Sequence, residues 1–383
     1  MTIINGIEID DINYTPNNIK LAIQNNYPIE NKLHVITVIS NPCTYARRYI
    51  LAREFVKRME DEENVILYVV ELAYNNQEFY ITDSKNQRHL QLRTNTAPLW
   101  HKENMINIGV DKLLPKKWKA FAWIDADIEF DSASWAEDTL KLLNGSYDIV
   151  QLFSHAVDMD LNEEAMNVFP GFGFQYSKKQ RYSSKGILKM WHPGFAWACT
   201  HKAYYKMEGL YEKSILGAGD HNMALSYIKN ATVSVNKDVT DEYHNSIIEF
   251  ERRVKNLRLG YTPGIIRHYF HGLKKKRYYG DRWHILVRNL YNPYEHITKN
   301  KDGLLIPTET CPPELLNEIL DYFKSRHEDE GYLERMNDLS IANLQPLSKP
   351  FNERLSLDSF IPTFSSMNLD SIQECKSEQN III

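Results

Sequence analysis

The segment FAWIDADIEF, residues 121–130, places an apolar run directly before a cluster of carboxylates. Residues 121–124 have the composition of a short buried strand, and Asp125 and Asp127 follow it two residues apart. Side chains two residues apart in an extended chain point to the same side, so both carboxylates can face one ligand. Ligands of parallel α/β sheets bind beyond the carboxyl ends of the strands. The segment therefore predicts a strand that carries two acids to the binding edge of such a sheet.

Candidate strands and amphipathic helices alternate on both sides of this segment. Residues 33–39 (LHVITVI) and 65–72 (VILYVVEL) have the apolar, β-branched composition of buried strands. Between them, Leu51, Phe55 and Met59 recur every four residues, as on the buried face of a helix. Helices are thus predicted over about 45–60, 101–113 and 243–258 and after Asp220, and a further strand over 147–153. This alternation predicts an α/β fold with a mixed, mostly parallel sheet flanked by helices.

The chain has 383 residues, enough for one large domain with additions at both ends. Residues 1–30 are polar and rich in asparagine, and are predicted to form a loosely ordered lead-in. Residues 31–295 hold the alternating strands and helices and are predicted to form the main domain. Residues 296–383 are predicted to form a helical extension, with a helix beginning after Pro312, and a flexible tail from Ser348 onward.

Composition and charge restrict the classes of function. The chain is 43% hydrophobic and 25% charged, as in soluble globular proteins, and its net charge of −5 gives no overall basic field for nucleic acid. We see no signal peptide and no apolar stretch as long as a membrane span, so we predict a cytoplasmic protein, in a host cytoplasm if the gene is viral. The thiols predicted to be free are Cys43, Cys199, Cys311 and Cys375, and the sequons predicted to be chance matches are at Asn13, Asn144 and Asn230.

Asp125 and Asp127 are candidate ligands of a hard divalent cation. Mn²⁺ or Mg²⁺ accepts carboxylate oxygens and leaves positions open for water and phosphate oxygens. Such an ion would neutralise charge that develops on a departing diphosphate. The alternative is a solvated acidic turn without a metal.

A basic segment downstream, RHYFHGLKKKRY at residues 267–278, could complete such a site. His271 offers an imidazole as a third metal ligand, and Gly272 after it allows close approach of the backbone. Lys274 and Arg277, with Arg282 beyond them, have the charge that a diphosphate requires. The alternative is a solvated basic loop.

The turn LGAGDHN at residues 216–222 opens a predicted helix and carries Asp220. An aspartate after glycines commonly caps the helix that follows. It could instead hold a carboxylate on a rigid turn, where it can take a proton from an acceptor hydroxyl.

These three features, in this order, resemble the GT-A superfamily of nucleotide-sugar glycosyltransferases over about residues 33–290. Residues 122–130 (AWIDADIEF) resemble the end of the family's D-x-D strand. Residues 192–224 (HPGFAWACTHKAYYKMEGLYEKSILGAGDHNMA) resemble the acceptor side of β-1,4-galactosyltransferases and polypeptide GalNAc-transferases. Residues 267–282 (RHYFHGLKKKRYYGDR) resemble the family's C-terminal segment. The resemblance implies a GT-A, Rossmann-like fold and transfer of a sugar from a nucleotide-sugar.

The resemblance also implies roles for individual residues. Asp125 and Asp127 would serve metal and donor, His271 would be the third metal ligand with His268 as the alternative, and Asp220 would be the catalytic base. The family's E-D pattern is replaced here by Gly-Asp-His, which leaves the stereochemical outcome open. Implied donor contacts are Thr37, Ile39, Asn41, Lys102, Asn104, Asn107, Asp125, Lys274, Arg277 and Arg282, and implied acceptor contacts are Trp191 and Trp197. Implied partners are a UDP-sugar donor, a glycan, peptide or small-molecule acceptor, and a second copy in a homodimer.

Three other functions compete with this interpretation. A nucleotidyltransferase would carry a Gly-rich basic loop after its first strand, where this chain has Ser40-Asn41-Pro42. A phosphohydrolase would need more histidine and aspartate ligands than the segment shows. A non-catalytic carbohydrate-binding protein with a decayed transferase fold would bind UDP with metal but not turn it over.

Overall fold

The computed structural model of the chain describes residues 28–186 and 188–330, together with the backbone of a hairpin formed by β1 (Thr2–Ile4) and β2 (Ile7–Ile9). Most of the predicted lead-in, the tail from Ser348, Cys375 and the sequon at Asn13 lie outside the described residues. Cys43, Cys199 and Cys311 are free thiols.

A seven-stranded sheet forms the centre of the molecule. In spatial order its strands are β12 (Leu259–Tyr261), β8 (Ile149–Gln151), β11 (Ala196–Thr200), β6 (Ala120–Ile124), β3 (Leu33–Ser40), β4 (Val65–Tyr74) and β5 (His89–Thr94). Neighbouring strands are parallel except β11, which runs antiparallel to both β6 and β8. The predicted fold class, a mostly parallel mixed sheet flanked by helices, is confirmed.

Helices cover both faces of this sheet because its central strands are apolar on both sides. The helices are α1 (Ala46–Asp61), α2 (Lys102–Leu113), α3 (Trp135–Leu143), α4 (Phe172–Ser177), α5 (His201–Met207), α6 (Gly219–Tyr227), α7 (Asp241–Val254), α8 (Trp283–Arg288) and α9 (Pro313–Ser325). Val35 of β3 packs in the same apolar cluster as Phe55 of α1, whereas Ile36 packs with Met105 of α2 on the opposite face. This alternation along β3 produces two apolar cores, one on each side of the sheet.

A second, four-stranded sheet connects distant parts of the chain. Its spatial order is β10 (Ala165–Pro170), β9 (His155–Met159), β13 (Ile265–His268) and β7 (Ile128–Phe130). Strand β7 begins one residue after Asp127, and His268 at the end of β13 lies opposite Ile128. On its other side β13 runs parallel to β9, with His268 opposite Asp158. The small sheet therefore brings residues 265–268 beside the acidic segment that follows β6.

Residues 323–329 contact the start of α1. A hairpin of β14 (Ile297–Lys299) and β15 (Leu305–Pro307) precedes α9. The hydroxyl of Tyr45 donates to the carbonyls of Phe323 and Lys324, and the Asp329 carboxylate accepts from the amides of Ala46 and Arg47. Tyr45, at the N-cap of α1, makes no side-chain capping bond, so Asp329 caps this helix from the far end of the described chain.

Some elements differ from the sequence prediction. The helix predicted over 243–258 is Asp241–Val254, because the Thr240 side chain caps it through the amide of Tyr243. The polar strand His89–Thr94 was not predicted, since it lacks the apolar composition of the inner strands. Among the described helices, none is long and apolar enough to cross a membrane.

We predict that Asp329→Ala lowers the free energy of unfolding by about 1–2 kcal/mol, because two amides at the start of α1 lose their acceptor. Urea unfolding followed by circular dichroism measures the change. The matched control is Asp321→Ala on the exposed side of α9, which should change stability by less than about 0.5 kcal/mol. Equal effects of the two substitutions would contradict the capping role of Asp329.

Candidate functional site

Backbone hydrogen bonds hold the acidic segment at the carboxyl end of β6. The amide of Asp125 donates to the carbonyl of Phe195 at 2.8 Å, and the amide of Tyr269 donates to the carbonyl of Asp127 at 2.9 Å. The Thr37 hydroxyl donates to the carbonyl of Ile124 at 2.9 Å and so ties β3 to the end of β6. The two aspartates therefore lie at the edge where parallel α/β sheets bind ligands.

Asp127, His268 and His271 form a cluster that can hold a metal ion. Each offers one ligand atom, and these three atoms lie within 4.8 Å of one another. Nε2 of His271 lies 3.0 Å from Oδ2 of Asp127 and 3.3 Å from Nε2 of His268. The other carboxylate oxygen, Oδ1 of Asp127, is buried and has no hydrogen-bond partner among the described residues. An orphaned carboxylate oxygen beside two imidazoles fits a divalent cation.

Asp158 determines which nitrogen of His268 faces this cluster. Its fully buried Oδ1 lies 2.9 Å from Nδ1 of His268, and Lys274 pairs with its other oxygen. Burial alone would raise the pKa of Asp158, but the hydrogen bond from His268 and the charge of Lys274 hold it well below its usual value. An ionised carboxylate only accepts hydrogen bonds, so Nδ1 carries the proton and Nε2 directs a lone pair at the cluster. This carboxylate–histidine pair is typical of metal ligands.

Asp125 is not one of the three residues of the cluster and forms an ion pair with Lys102. Burial raises the pKa of Asp125 to about 6, with further contributions from Asp127 and Asp220, whereas Lys102 lowers it. Residues 126–127 form a turn, so the alternation of side chains does not continue past Ile124. The structure thus places Asp125 beside the metal cluster, and its expected role as a metal ligand stays a prediction.

Asp220 lies close enough to Asp125, Lys102 and Glu103 for their charges to interact. The N-cap of α6 is Ala218, and Asp220 lies in the first turn with Oδ1 accepting from the amide of His221, so Asp220 is not the cap. A Cβ on Gly219 would overlap the Glu103 carboxylate.

A Cβ at position 194 would likewise lie 2.7 Å from Oδ2 of Asp220. Glycines at these two positions therefore leave room for the carboxylates of Glu103 and Asp220. Burial, together with the charges of Asp220 and Asp125, raises the pKa of Glu103 to about 8 against the opposing charge of Lys102.

The predicted phosphate-binding residues lie on two sides of the metal cluster. An amino group of Arg277 lies 2.9 Å from Nε2 of His271, and Lys274 pairs with Asp158. Arg282 is 9% exposed, lies against Gly217 and donates to the hydroxyl of Tyr322 at 3.2 Å. The structure thus brings Lys274 and Arg277 to the cluster, and places Arg282 near the turn that carries Asp220.

Several other predicted contacts are buried and use their polar groups internally. Thr37 bonds to Ile124, both ends of the Asn41 amide bond to Tyr45, and Asn107 bonds to Leu210. Ile39 and Trp191 are also predicted contacts, and both are packed in the core. Asn104 bonds to Glu212 and Leu305, and Trp197 bonds to Pro193. These side chains shape the edge of the sheet.

Sequence reasoning missed Arg48, Glu103, Asp158, Arg326 and Glu328. Glu328 is 1% exposed and lies 3.5 Å from Nδ1 of His271, yet it is 57 residues away in the sequence from this imidazole. None of these residues belongs to a motif, and only the tertiary fold brings them to the site.

Two cavities differ in their relation to this site. A cavity of about 300 Å³ lies at the amino end of β4, with Met59, Val65 and His89 in its lining, and is remote from the acidic cluster. A cavity of about 10 Å³ lies beyond the carboxyl end of β3, between Pro42, Arg48 and Arg326. The smaller one lies at the ligand-binding edge but has room for no more than one water molecule.

No protein-family model matches the sequence, and neither does any curated protein. Among solved structures, the chain is similar to a protein of Desulfovibrio desulfuricans G20 assigned as a nucleotide-diphospho-sugar transferase, with 8% identity and a TM-score of 0.28 over 78% of this chain and 99% of that one. It is also similar to the glycosyltransferase GlyE of Streptococcus pneumoniae TIGR4, with 10% identity and a TM-score of 0.25 over 85% of this chain and 67% of that one. Likenesses this weak carry no argument about function, which depends on the side chains of the site.

We predict that Asp127→Asn weakens Mn²⁺ binding at least about 100-fold, because the cluster loses its only charged ligand. Calorimetric titration with MnCl₂ measures the affinity, and the thermal midpoint confirms that the variant is folded. Asp131→Asn is the matched control, since Asp131 pairs with Arg267 at the surface of the same segment. Binding of Mn²⁺ with unchanged affinity to the Asp127 variant would remove this cluster as the metal site.

We also predict that Glu103 makes stability depend on pH. Its folded pKa of about 8 lies above the ordinary value of 4.5, so the folded state retains a proton that the unfolded chain releases. Stability should therefore fall as the pH rises from about 5 to 8, and Glu103→Gln should be more stable than the wild type at pH 8 by about 2–4 kcal/mol. Chemical unfolding across this range checks the slope. Glu137→Gln, on the exposed side of α3, should keep the wild-type slope.

Proposed function

We propose that the chain is a metal-dependent glycosyltransferase that moves a sugar from a nucleotide-sugar, a UDP-sugar by resemblance, to an acceptor hydroxyl. The observation that carries the proposal is the Asp127, His268 and His271 cluster at the carboxyl edge of the sheet, with Arg277 in contact with it. Two imidazoles and one carboxylate favour Mn²⁺ over Mg²⁺, which prefers oxygen ligands alone. The cationic side chains beside the cluster distinguish a phosphate-handling site from other sites with the same ligands.

The proposed chemistry assigns a task to each side of the site. The three ligands hold the metal, which when bound offsets negative charge on the leaving diphosphate. Arg277 and Lys274 add fixed positive charge on the same side. The acceptor oxygen forms a bond to the anomeric carbon of the donor sugar while the bond from that carbon to the diphosphate breaks.

Asp220 accepts the proton that the acceptor hydroxyl loses. Its carboxylate projects from the first turn of α6 towards the loop that contains Gly194. Lys102 forms an ion pair with Asp125 and lies close enough to Asp220 for the two charges to interact. We propose that the ion pair keeps Asp125 oriented beside Asp220.

A non-catalytic protein that binds nucleotide-sugars is the second candidate. The observation that favours it is the small space beyond β3, about 10 Å³, where the donor's nucleotide would be expected. In this case the chain would bind UDP with Mn²⁺ but would release none from a UDP-sugar.

The test is a screen of nucleotide-sugars with Mn²⁺ and then with EDTA, with release of the nucleotide diphosphate as the readout. We expect one donor to be hydrolysed slowly in Mn²⁺ and not in EDTA. Asp220→Asn should lower turnover at least about 100-fold and leave donor affinity within about twofold. Asp238→Asn, at an exposed position, should change neither quantity. Metal-dependent binding without turnover of any donor would favour the non-catalytic candidate, and no binding at all would contradict both.

A further inference from the structure

The Glu328 carboxylate lies in a cluster of basic side chains. Arg48 donates to both of its oxygens through a guanidinium fork, and Nε of Arg326 donates to Oε1 at 2.6 Å. Nδ1 of His271 lies 3.5 Å from Oε2, and Arg277 contacts the other nitrogen of that imidazole. Two guanidinium groups therefore contact a single buried carboxylate, and a third, that of Arg277, contacts the imidazole beside it.

This arginine cluster, formed by Arg48, Arg277 and Arg326, lies where a phosphate group of a ligand would be expected. Arg48 lies in the first turn of α1, the helix that follows β3. Its remaining guanidinium nitrogen, Nη1, donates to the carbonyl of Ser40 at the end of that strand. Through His271 the cluster adjoins the proposed metal site. It thus lies at the carboxyl edge of the parallel strands, beside the metal ligands.

The charge of the cluster exceeds what Glu328 alone can balance. Guanidinium forks match the oxygens of phosphate as well as those of carboxylate, and they bind a doubly charged group more strongly. The Glu328 carboxylate accepts hydrogen bonds from the guanidinium groups of both Arg48 and Arg326. A carboxylate held in this way stands in for phosphate oxygens.

The segment that carries Glu328 also blocks access to this edge. Phe323, Arg326 and Glu328 line the cavity of about 10 Å³ beyond β3, which holds no more than one water molecule. His327, between two of these residues, has a left-handed backbone with φ of 44°. This conformation commonly ends a helix, and His327 follows Arg326, the C-cap of α9.

We propose that Arg48, Arg277 and Arg326 bind the diphosphate of the nucleotide donor, and that Glu328 occupies this site until the donor displaces it. The inference rests on the proposed function for the identity of the ligand as a donor. It assigns the cluster a ligand class, an organic or inorganic diphosphate, and assigns the Glu328 carboxylate the role of an internal competitor. Glu328 then lowers the apparent affinity for every diphosphate that enters the site.

Inorganic pyrophosphate is the probe that tests the proposal, by calorimetric titration of the full chain with Mn²⁺ present. Glu328→Gln keeps the shape of the side chain and removes the competing charge, so we expect pyrophosphate to bind at least tenfold more tightly. Glu330→Gln is the matched control in the same segment, because Glu330 pairs with Lys276 outside the cluster, and its affinity should stay within twofold. Unchanged or weaker binding by the Glu328 variant would overturn the proposal and indicate that Glu328 orients His271.

A second measurement on the wild-type chain covers the case in which the Glu328 variant does not fold. Amide hydrogen exchange should become faster in residues 327–330 when pyrophosphate binds, and should stay unchanged in α3. Slower or unchanged exchange in residues 327–330 would contradict displacement.

The outcome is independent of glycosyl transfer. Tighter pyrophosphate binding by the Glu328 variant, without turnover of any nucleotide-sugar, would keep this site and reject the enzyme. Turnover of a nucleotide-sugar, with unchanged pyrophosphate binding by the Glu328 variant, would keep the enzyme and reject this site.

Discussion

The pairing of β13 with β7 is the contact on which the candidate site depends. It places His268 opposite Ile128 and continues as a hydrogen bond from the amide of Tyr269 to the carbonyl of Asp127. Because β13 also pairs with β9, His268 lies between Asp127 on one side and Asp158 on the other. The short strand β13 thus carries a candidate metal ligand, His268, and fixes both its position and the carboxylate that sets its tautomer. The strands that β13 joins to itself, β7 and β9, are more than 100 residues away from it in the sequence.

Much of this arrangement could be predicted from the sequence. The apolar runs and the four-residue period of Leu51, Phe55 and Met59 indicated the α/β class, because burial on both faces of a sheet leaves a strong pattern. The position of Asp127 at the end of a strand and the choice of His271 as a candidate metal ligand could also be predicted. His268 was only the alternative ligand, since nothing in the sequence shows that a buried carboxylate, Asp158, faces its other nitrogen.

The remaining features depend on geometry that has no local signature. Asp125 and Asp127 follow the end of the strand at Ile124 and lie at a turn, so the alternation of side chains in a strand does not fix their directions. The glycine at position 219 looked like a turn residue, but the structure shows that it makes room for Glu103. Contacts of this kind form between residues that only the completed fold brings together.

The site divides into two halves with opposite electrical character. On one side, Arg48 and Arg326 donate to Glu328 and Arg277 contacts His271, so this half favours anions. On the other side, the carboxylates of Glu103, Asp125 and Asp220 lie near the ammonium group of Lys102. Burial, together with the charges of Asp220 and Asp125, raises the pKa of Glu103 to about 8.

A transfer reaction needs a positively charged region and a proton acceptor a short distance apart. Negative charge builds up on the leaving group while a proton leaves the nucleophile. Lys102 and Asp125 lie at the boundary between the two halves, and Asp125 is ion-paired to Lys102 while it follows the same strand as Asp127. A substitution that removes the charge of Lys102 or Asp125 would therefore affect both the carboxylate half of the site and the metal cluster. This coupling gives the pair a role in the site even if Asp125 never contacts the metal.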